Sequence, residues 1–155
     1  MSSYRTELTQ QLISLFRYVS ANSVMFSQVV ASKVGLHSTD NECLDFLILN
    51  GPATAGQLSE ITGLTTGAVT AMIDRLEKAG FVHREHDKAD RRRIIVVPNE
   101  AKIYSEILPH TMPMGVAMEA VCAEFSEEAL EIVLKFITKA NNAASEVILN
   151  AREVQ

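Results

Sequence analysis

The chain has 155 residues, of which 47% are hydrophobic and 21% charged, and this composition is typical of a globular protein rather than a disordered one. The net charge is −5, no apolar run approaches the ~18 residues of a membrane span, and the N-terminus lacks the charged-then-apolar order of a signal peptide. Two cysteines far apart in sequence do not suggest a disulfide framework, so we expect a single domain, residues 1–155, in the reducing cytoplasm.

The first pattern predicts a long helix from about Tyr4 to Val34, ended by Gly35. Its apolar stripe comprises Leu8, Leu12, Leu15, Phe16, Val19, Phe26, Val29 and Val30. Next, a capping box at Thr39-Asp40-Asn41-Glu42 predicts the start of a second helix, which Asn50-Gly51-Pro52 ends. The inner face of that helix is Cys43, Leu44, Leu47 and Ile48, so we expect Cys43 to be a buried, inert thiol.

Residues 54–98 begin with two short helical patterns separated by a turn. Thr54 and Gln57 form a capping box, Leu58 and Ile61 are expected to face one core, and Gly63 is a stop signal. Thr65 or Thr66 caps the second helix, which Gly80 ends. Its apolar stripe is Val69, Met72, Ile73 and Leu76, and its opposite arc carries Gly67, Thr70, Ala71, Asp74, Arg75 and Lys78. This arc suits a helix that enters a DNA major groove, although an ordinary surface helix has the same periodicity.

Two strand-like runs follow, 81–86 and 93–97, the second ended by Pro98. The loop between them, 87–92, is dense in cations, as expected of a hairpin that lies along phosphates. Residues 54–98 hold seven of the 14 Lys and Arg residues, whereas residues 99–155 hold four cations and nine acids. An acidic body with a basic loop would orient DNA on one face. The order of helix, turn, helix, strand, loop and strand is that of a winged helix-turn-helix.

The runs Leu64 to Thr70, Asp74 to Val82 and Asp87-x-x-Asp90-Arg91-Arg92 resemble the MarR family of bacterial transcription regulators. The flanks fit in length and character, so the resemblance covers nearly the whole chain. It implies a homodimer that binds a pseudo-palindromic operator in double-stranded DNA and is released by a small ligand or an oxidant. It also implies that Arg92 enters the minor groove and that Asp90 holds it there. Peroxide-sensing members carry a cysteine near the start of the first helix, and this chain has none there.

After the hairpin, Asn99 is expected to cap a helix through Ile103, Tyr104, Ile107 and Leu108, with a kink or break between Pro109 and Gly115. Ser126 is expected to start the last helix, whose apolar face is Leu130, Val133, Leu134, Ile137, Val147 and Ile148. We expect the helices within 1–35 and 99–155 to pair with a second copy in a two-fold dimer, and a monomeric bundle is the alternative. The predicted fold is therefore mainly α with a small β-hairpin wing, flanked by long dimerisation helices.

Enzyme chemistry and bound cofactors find no support in the sequence. His83 and His86 are three residues apart on a predicted strand and point to opposite faces, so a metal site is not expected. No phosphate loop, paired catalytic carboxylates or nucleophile elbow is present. A redox switch would have to use Cys122. For a small aromatic effector, which the resemblance implies, candidate walls are Phe16, Phe46 and 112–118, although each of these also reads as plain core.

The sequence thus predicts a ligand-responsive repressor that reads DNA. We expect Thr65, Thr66 and Thr70 to reach bases or phosphates, Arg75 to contact the DNA backbone, and Lys88, Arg91 and Arg92 to act from the wing. The competing class is a winged helix that docks proteins or binds small molecules without DNA. Such a module needs an apolar surface patch, whereas here the exposed arc is small, hydroxylated and cationic.

Overall fold

The computed structural model describes residues 3–153, which form seven helices and three strands. In chain order these are α1 (Ser3–Lys33), α2 (Ser38–Asn50), β1 (Ala53–Thr54), α3 (Ala55–Thr62), α4 (Thr66–Lys78), β2 (Val82–His86), β3 (Ile94–Pro98), α5 (Glu100–Glu106), α6 (Leu108–Cys122) and α7 (Glu127–Glu153). The chain divides into two compact units, one ending at Thr111 within α6 and one beginning at Met112. The predicted mainly helical winged helix-turn-helix is confirmed.

The buried core of the first unit is built where α2, α3 and α4 meet the sheet. The predicted inner face of α2 and the predicted apolar stripe of α4 both contribute to this core. Of these residues, only Ile48 of α2 is half-buried. The largest fully buried side chains there are Val30, Leu44, Leu47, Leu58, Val69, Met72, Ile73, Leu76, Phe81 and Val96. Ile61 was predicted to face the same core as Leu58, but it is 42% exposed. Three residues of helix rotate it about 60° away from Leu58, and a helix this short buries only a narrow stripe.

The sheet is antiparallel, with strand order β1-β3-β2. The predicted hairpin forms with β2 and β3 in register from Val82 opposite Pro98 to His86 opposite Ile94. The sequence did not predict β1, which pairs Ala53 with Val96 and Thr54 with Ile95. This third strand joins the start of α3 to the hairpin, so the helix-turn-helix and the hairpin are connected through one sheet.

Most of the predicted helix caps are confirmed. The Thr54–Gln57 capping box is complete, and Gly63 ends α3 in the left-handed conformation at φ 69°. Thr65, Asn99 and Ser126 each accept a hydrogen bond from a backbone N–H in the first turn of the helix that follows. The capping box predicted at Thr39 is wrong, because the N-cap residue of α2 is His37, two residues earlier, and Thr39 lies inside the helix.

Of the kink or break predicted between Pro109 and Gly115, the break is wrong in position. The helix is interrupted at Ile107, before both prolines, and α6 continues through Pro113. Pro109 is the second residue of α6, where a backbone N–H has no intrahelical partner to lose. The chain therefore tolerates the first proline by starting a new helix just ahead of it.

Large apolar side chains remain exposed on both units. On α1 they include Leu8, Leu12, Leu15, Phe16, Val19 and Val29, and on the second unit Met112, Met114, Val116, Met118, Val133, Leu134, Ile137, Val147 and Ile148. The predicted stripes exist, but only Val30 and, in part, Phe26 of the α1 stripe enter the core. None of the helices within residues 3–153 combines the length and the apolar character that crossing a bilayer would require.

Candidate nucleic-acid interface

The N-terminal half of α4 presents an exposed face of small and hydroxyl residues. Thr65, Thr66, Gly67 and Thr70 are all exposed. The Thr65 hydroxyl caps the helix, and the Thr70 hydroxyl donates to the carbonyl of Thr66 at 2.9 Å. A Cβ built on Gly67 would meet nothing within 4 Å, so the folded chain itself has no need of glycine there. This face leaves room for another molecule to approach the helix backbone closely.

The loop between β2 and β3, residues 87–93, carries four cations, Lys88, Arg91, Arg92 and Arg93, all of them exposed. The loop is internally ordered by hydrogen bonds. The Asp87 amide donates to the carbonyl of Arg93 at 2.9 Å, and the Asp87 carboxylate accepts from the Ala89 amide at 2.8 Å. Arg93 was placed in the returning strand by the sequence, but β3 begins only at Ile94.

Asp90 shapes the tip of this loop. Its carboxylate accepts the Arg92 amide at 3.1 Å, and its carbonyl accepts the Arg93 amide at 2.9 Å. The same carboxylate lies 3.8 Å from Arg92 Nε, although the Arg92 side chain is 96% exposed. Asp90 is thus a turn residue and also the ionic neighbour of an arginine that projects into solvent.

Arg75, which the sequence predicts to contact the DNA backbone, is paired within the protein. Its Nη2 lies 2.5 Å and its Nε 3.1 Å from the two carboxylate oxygens of Asp40 on α2. The Asp40 side chain is 1% exposed and that of Arg75 44%. The hydrogen bond to Asp40 raises the pKa of the Arg75 guanidinium above its usual value, so the group stays charged.

A second arginine joins α4 to the sheet. Arg84 on β2 donates to Asp74 at 2.5 Å and also to Glu77, and Glu77 accepts the Arg84 amide at 2.9 Å. These bonds, first to Asp74 and then to Glu77, raise the pKa of Arg84. Arg84 is one of the seven Lys and Arg residues of 54–98, and its charge is paired with acidic side chains of α4.

The sequence reasoning missed the roles of Asp40 and Arg84. One signal for Asp40 was available, because it precedes Cys43 by three residues and Leu44 by four, which places it on the apolar inner face of α2. An acid on such a face indicates a buried ion pair. For Arg84 no comparable signal exists, since its acidic partners lie in another element.

The remaining titratable candidates have ordinary structural surroundings. Cys43 is fully buried, as predicted, and burial, followed by the charge of Asp40, raises the pKa of its thiol to about 12. Cys122 is exposed. His83 Nε2 lies 2.7 Å from Glu85, and His86 Nδ1 lies 2.8 Å from the carbonyl of Arg91. Across residues 3–153, no group of three or more potential metal ligands comes together.

The predicted effector walls differ in burial. Phe46 is half-buried against the core, and Phe16 is 36% exposed on α1. The alternative reading of 112–118 as plain core does not hold within this chain, because Met112, Met114, Val116 and Met118 are all exposed.

A helix-turn-helix with an open helix face beside an ordered, cationic hairpin loop is the architecture of a DNA-binding transcription regulator. Residues 36–94 match the model of the MarR family. The transcriptional regulator YcgE of Bacillus subtilis (strain 168), itself described as uncharacterized, is 42% identical over 142 residues, which are 92% of each chain. Another similar protein, the regulator HosA of Escherichia coli O111:H-, is 33% identical over 56% of this chain and 63% of its own. The chain belongs to the MarR family, whose members are non-enzymatic DNA-binding regulators.

Solved structures agree on the fold. A MarR family protein from Bacillus stearothermophilus superposes with a TM-score of 0.70 at 22% identity, covering 94% of this chain and 99% of the other. A point variant of MepR from S. aureus, bound to an oligodeoxyribonucleotide, superposes with a TM-score of 0.55 at 18% identity, covering 86% and 97%.

Proposed function

We propose that this protein is a homodimeric, ligand-responsive repressor that binds a pseudo-palindromic operator in the bacterial cytoplasm. The observation that carries the proposal is the exposed N-terminal half of α4 lying in the same unit as the ordered basic loop 87–93. A major groove admits one helix, and the adjacent phosphates and minor groove accommodate a cationic hairpin.

Within this proposal the three threonines and the loop have different tasks. Thr65, Thr66 and Thr70 would reach base edges or phosphates from α4, where small neighbours allow close approach. Lys88 and Arg91 would follow the phosphates. Arg92, which is 96% exposed beside Asp90, would enter the minor groove, because a planar and weakly hydrated guanidinium suits a narrow electronegative groove.

The homodimer is supported by the exposed apolar side chains on α1 and on the second unit. Single apolar side chains on a surface are ordinary, but several successive ones along a helix indicate a covered face. A second copy would cover such faces with the same residues, giving a two-fold assembly that presents two α4 helices to a two-fold operator. The oligonucleotide in the MepR structure supports DNA binding by a chain of this fold.

For the effector we propose a small aromatic compound, because the exposed Met112, Met114 and Met118 offer adaptable apolar surface. A thermal-shift screen of phenolic compounds and aromatic acids tests this. A ligand that raises the melting temperature should also release the protein from DNA. Ligands that stabilise the protein while leaving the DNA complex intact would count against an effector role.

The experiment that tests the repressor is a mobility shift on the region upstream of the protein's own coding sequence, at two salt concentrations. We expect a specific complex that weakens at the higher salt concentration and a reporter that is derepressed when the gene is deleted. A double variant of Arg91→Ala and Arg92→Ala is the matched negative control. Failure of the wild-type protein to bind any upstream fragment at low salt would instead favour a protein-docking module.

A further inference from the structure

We propose that Asp40 is a positioning residue for DNA reading, which acts by holding Arg75 and thereby fixing the orientation of α4. Arg75 then joins α4 to α2 within the protein, as an internal strut, and does not contact a DNA phosphate. This inference rests on the proposal that α4 is the helix that enters the major groove.

The geometry of the pair is that of a structural tie. Both Arg75 nitrogens that contact Asp40 lie within hydrogen-bond distance, at 2.5 and 3.1 Å, and each binds a different carboxylate oxygen. This fork-to-fork arrangement defines direction as well as distance. The carboxylate is 1% exposed, so it cannot exchange its partner for bulk water at little cost.

The ion pair with Asp40 holds one side of α4, and the ion pairs with Arg84 hold the other side. Successive residues of a helix are rotated by about 100°, so Arg75 and Glu77 lie roughly 160° apart around its axis. Arg75 is joined to α2 on one side, while Asp74 and Glu77 are joined to Arg84 on β2 on the other. Rotation of α4 about its axis in either direction would pull one of the two arginines away from its carboxylate.

The same turn of α2 is bonded to α1. The Asn41 side chain, 2% exposed, donates to the Ser27 hydroxyl at 3.2 Å. Two adjacent residues of α2, Asp40 and Asn41, are therefore bonded to α4 and to α1. The position of α4 thus depends on α1 and α2. The short turn between α3 and α4 is not its only constraint.

Charge also argues against a phosphate contact. A guanidinium already neutralised by a carboxylate at 2.5 Å presents little net positive charge to DNA, so it should release few counterions when the complex forms. The exposed cations of loop 87–93 carry no comparable buried partner among the contacts of residues 3–153.

The test is an operator titration over a range of salt concentrations with the full-length protein and four variants: Asp40→Asn, Arg75→Gln, Arg75→Lys and the double variant Asp40→Asn/Arg75→Gln. Circular dichroism first confirms that each variant is folded. Both Asp40→Asn and Arg75→Gln should weaken binding, on the order of tenfold, and the double variant should lose no more than either single one. The salt slope should stay at the wild-type value in all of them. Arg92→Ala is the control that lowers that slope.

Arg75→Lys decides the matter even if Asp40→Asn does not fold. A phosphate contact tolerates lysine, whereas a bidentate strut does not, so we expect Arg75→Lys to bind as weakly as Arg75→Gln. The proposal is overturned if Arg75→Lys binds like wild type, if Arg75→Gln lowers the salt slope by about one, or if Asp40→Asn binds more tightly. Wild-type protein that fails to bind DNA at all would overturn the proposed function together with this inference, whereas the other outcomes overturn the inference alone.

Discussion

At the scale of single residues, the ion pair between Asp40 and Arg75 should contribute to the free energy of unfolding. Arg75→Ala leaves the buried Asp40 carboxylate without its guanidinium, so the free energy of unfolding at neutral pH should fall by about 3 kcal/mol. Asp40→Asn removes the buried charge itself and should cost less. Urea denaturation of both variants measures this, and an Arg75→Ala midpoint equal to that of wild type would contradict the interpretation of Asp40 as a buried, dependent charge.

The raised pKa of the buried Cys43 thiol should make the free energy of unfolding depend on pH in the alkaline range. Its pKa is about 12 in the folded protein and has an ordinary value of 9.0 when exposed. Above pH 9 the unfolded chain therefore binds fewer protons than the folded one, so the stability contributed by this group is lost as pH rises, by up to about 1.4 kcal/mol per pH unit. Cys43→Ala should flatten this decline relative to wild type in urea titrations between neutral pH and about pH 10. Parallel declines in the two proteins would contradict the assignment.

The wing separates two roles of Asp90. Arg92→Ala should lose on the order of 1–3 kcal/mol of operator affinity. Asp90→Ala should lose less, because it removes the acceptor of the Arg92 amide and lets the arginine move. Asp90→Asn is the matched control, since an asparagine can keep the turn while losing the ionic attraction. Operator titrations of the three variants test this order, and tighter binding by Asp90→Ala would show that its charge only repels DNA.

At the scale of elements, a substitution in the first turn of α4 should have opposite effects on the stability of the fold and on DNA binding. Gly67 has open space around it, so Gly67→Ala should raise the free energy of unfolding by about 0.5–1 kcal/mol through helix propensity. The same methyl group would occupy space next to the DNA and should weaken operator binding.

Gly56→Ala is a matched control for that prediction. Gly56 is the second residue of α3, as Gly67 is of α4, and its added Cβ would make an ordinary 3.8 Å contact with Thr54. It should gain similar stability and leave DNA binding unchanged. Thermal unfolding and operator titration of both variants provide the measurements, and equal DNA affinity of the two would argue that the Gly67 face does not approach DNA.

At the scale of the whole molecule, the exposed apolar face of α7 tests the homodimer. Leu134 is 69% exposed in the single chain, so Leu134→Glu should not disturb the fold of one copy. If a second copy covers it, the buried charge should raise the dimer dissociation constant at least tenfold. Lys135→Glu, at the neighbouring exposed position, is the control. Light scattering during size-exclusion chromatography measures both, and a Leu134→Glu dimer as stable as wild type would place the interface elsewhere.

The amino-acid sequence by itself determined the local structure of the winged helix-turn-helix, residues 54–98. The caps at Thr54, Thr65, Asn99 and Ser126 were predictable because each involves residues within three positions of one another. The buried stripe of α4 was predictable because helix geometry alone groups Val69, Met72, Ile73 and Leu76 on one side. The basic loop, the threonine face and the family resemblance also follow from contiguous residues.

Tertiary structure alone decided which charged side chains are paired within the protein. The place of Asp40 on the apolar face of α2 indicated a buried acid, but Arg75 is 35 residues away and nothing local indicated that it would be the partner. Likewise, β1 forms because the fold places β3 beside it, so that their backbone groups can pair. The packing of the sheet on α4 brings Arg84 to Asp74 and Glu77. Periodicity and capping depend on neighbours along the chain, whereas the partner of a charged side chain depends on which distant element the fold places within a few ångströms of it.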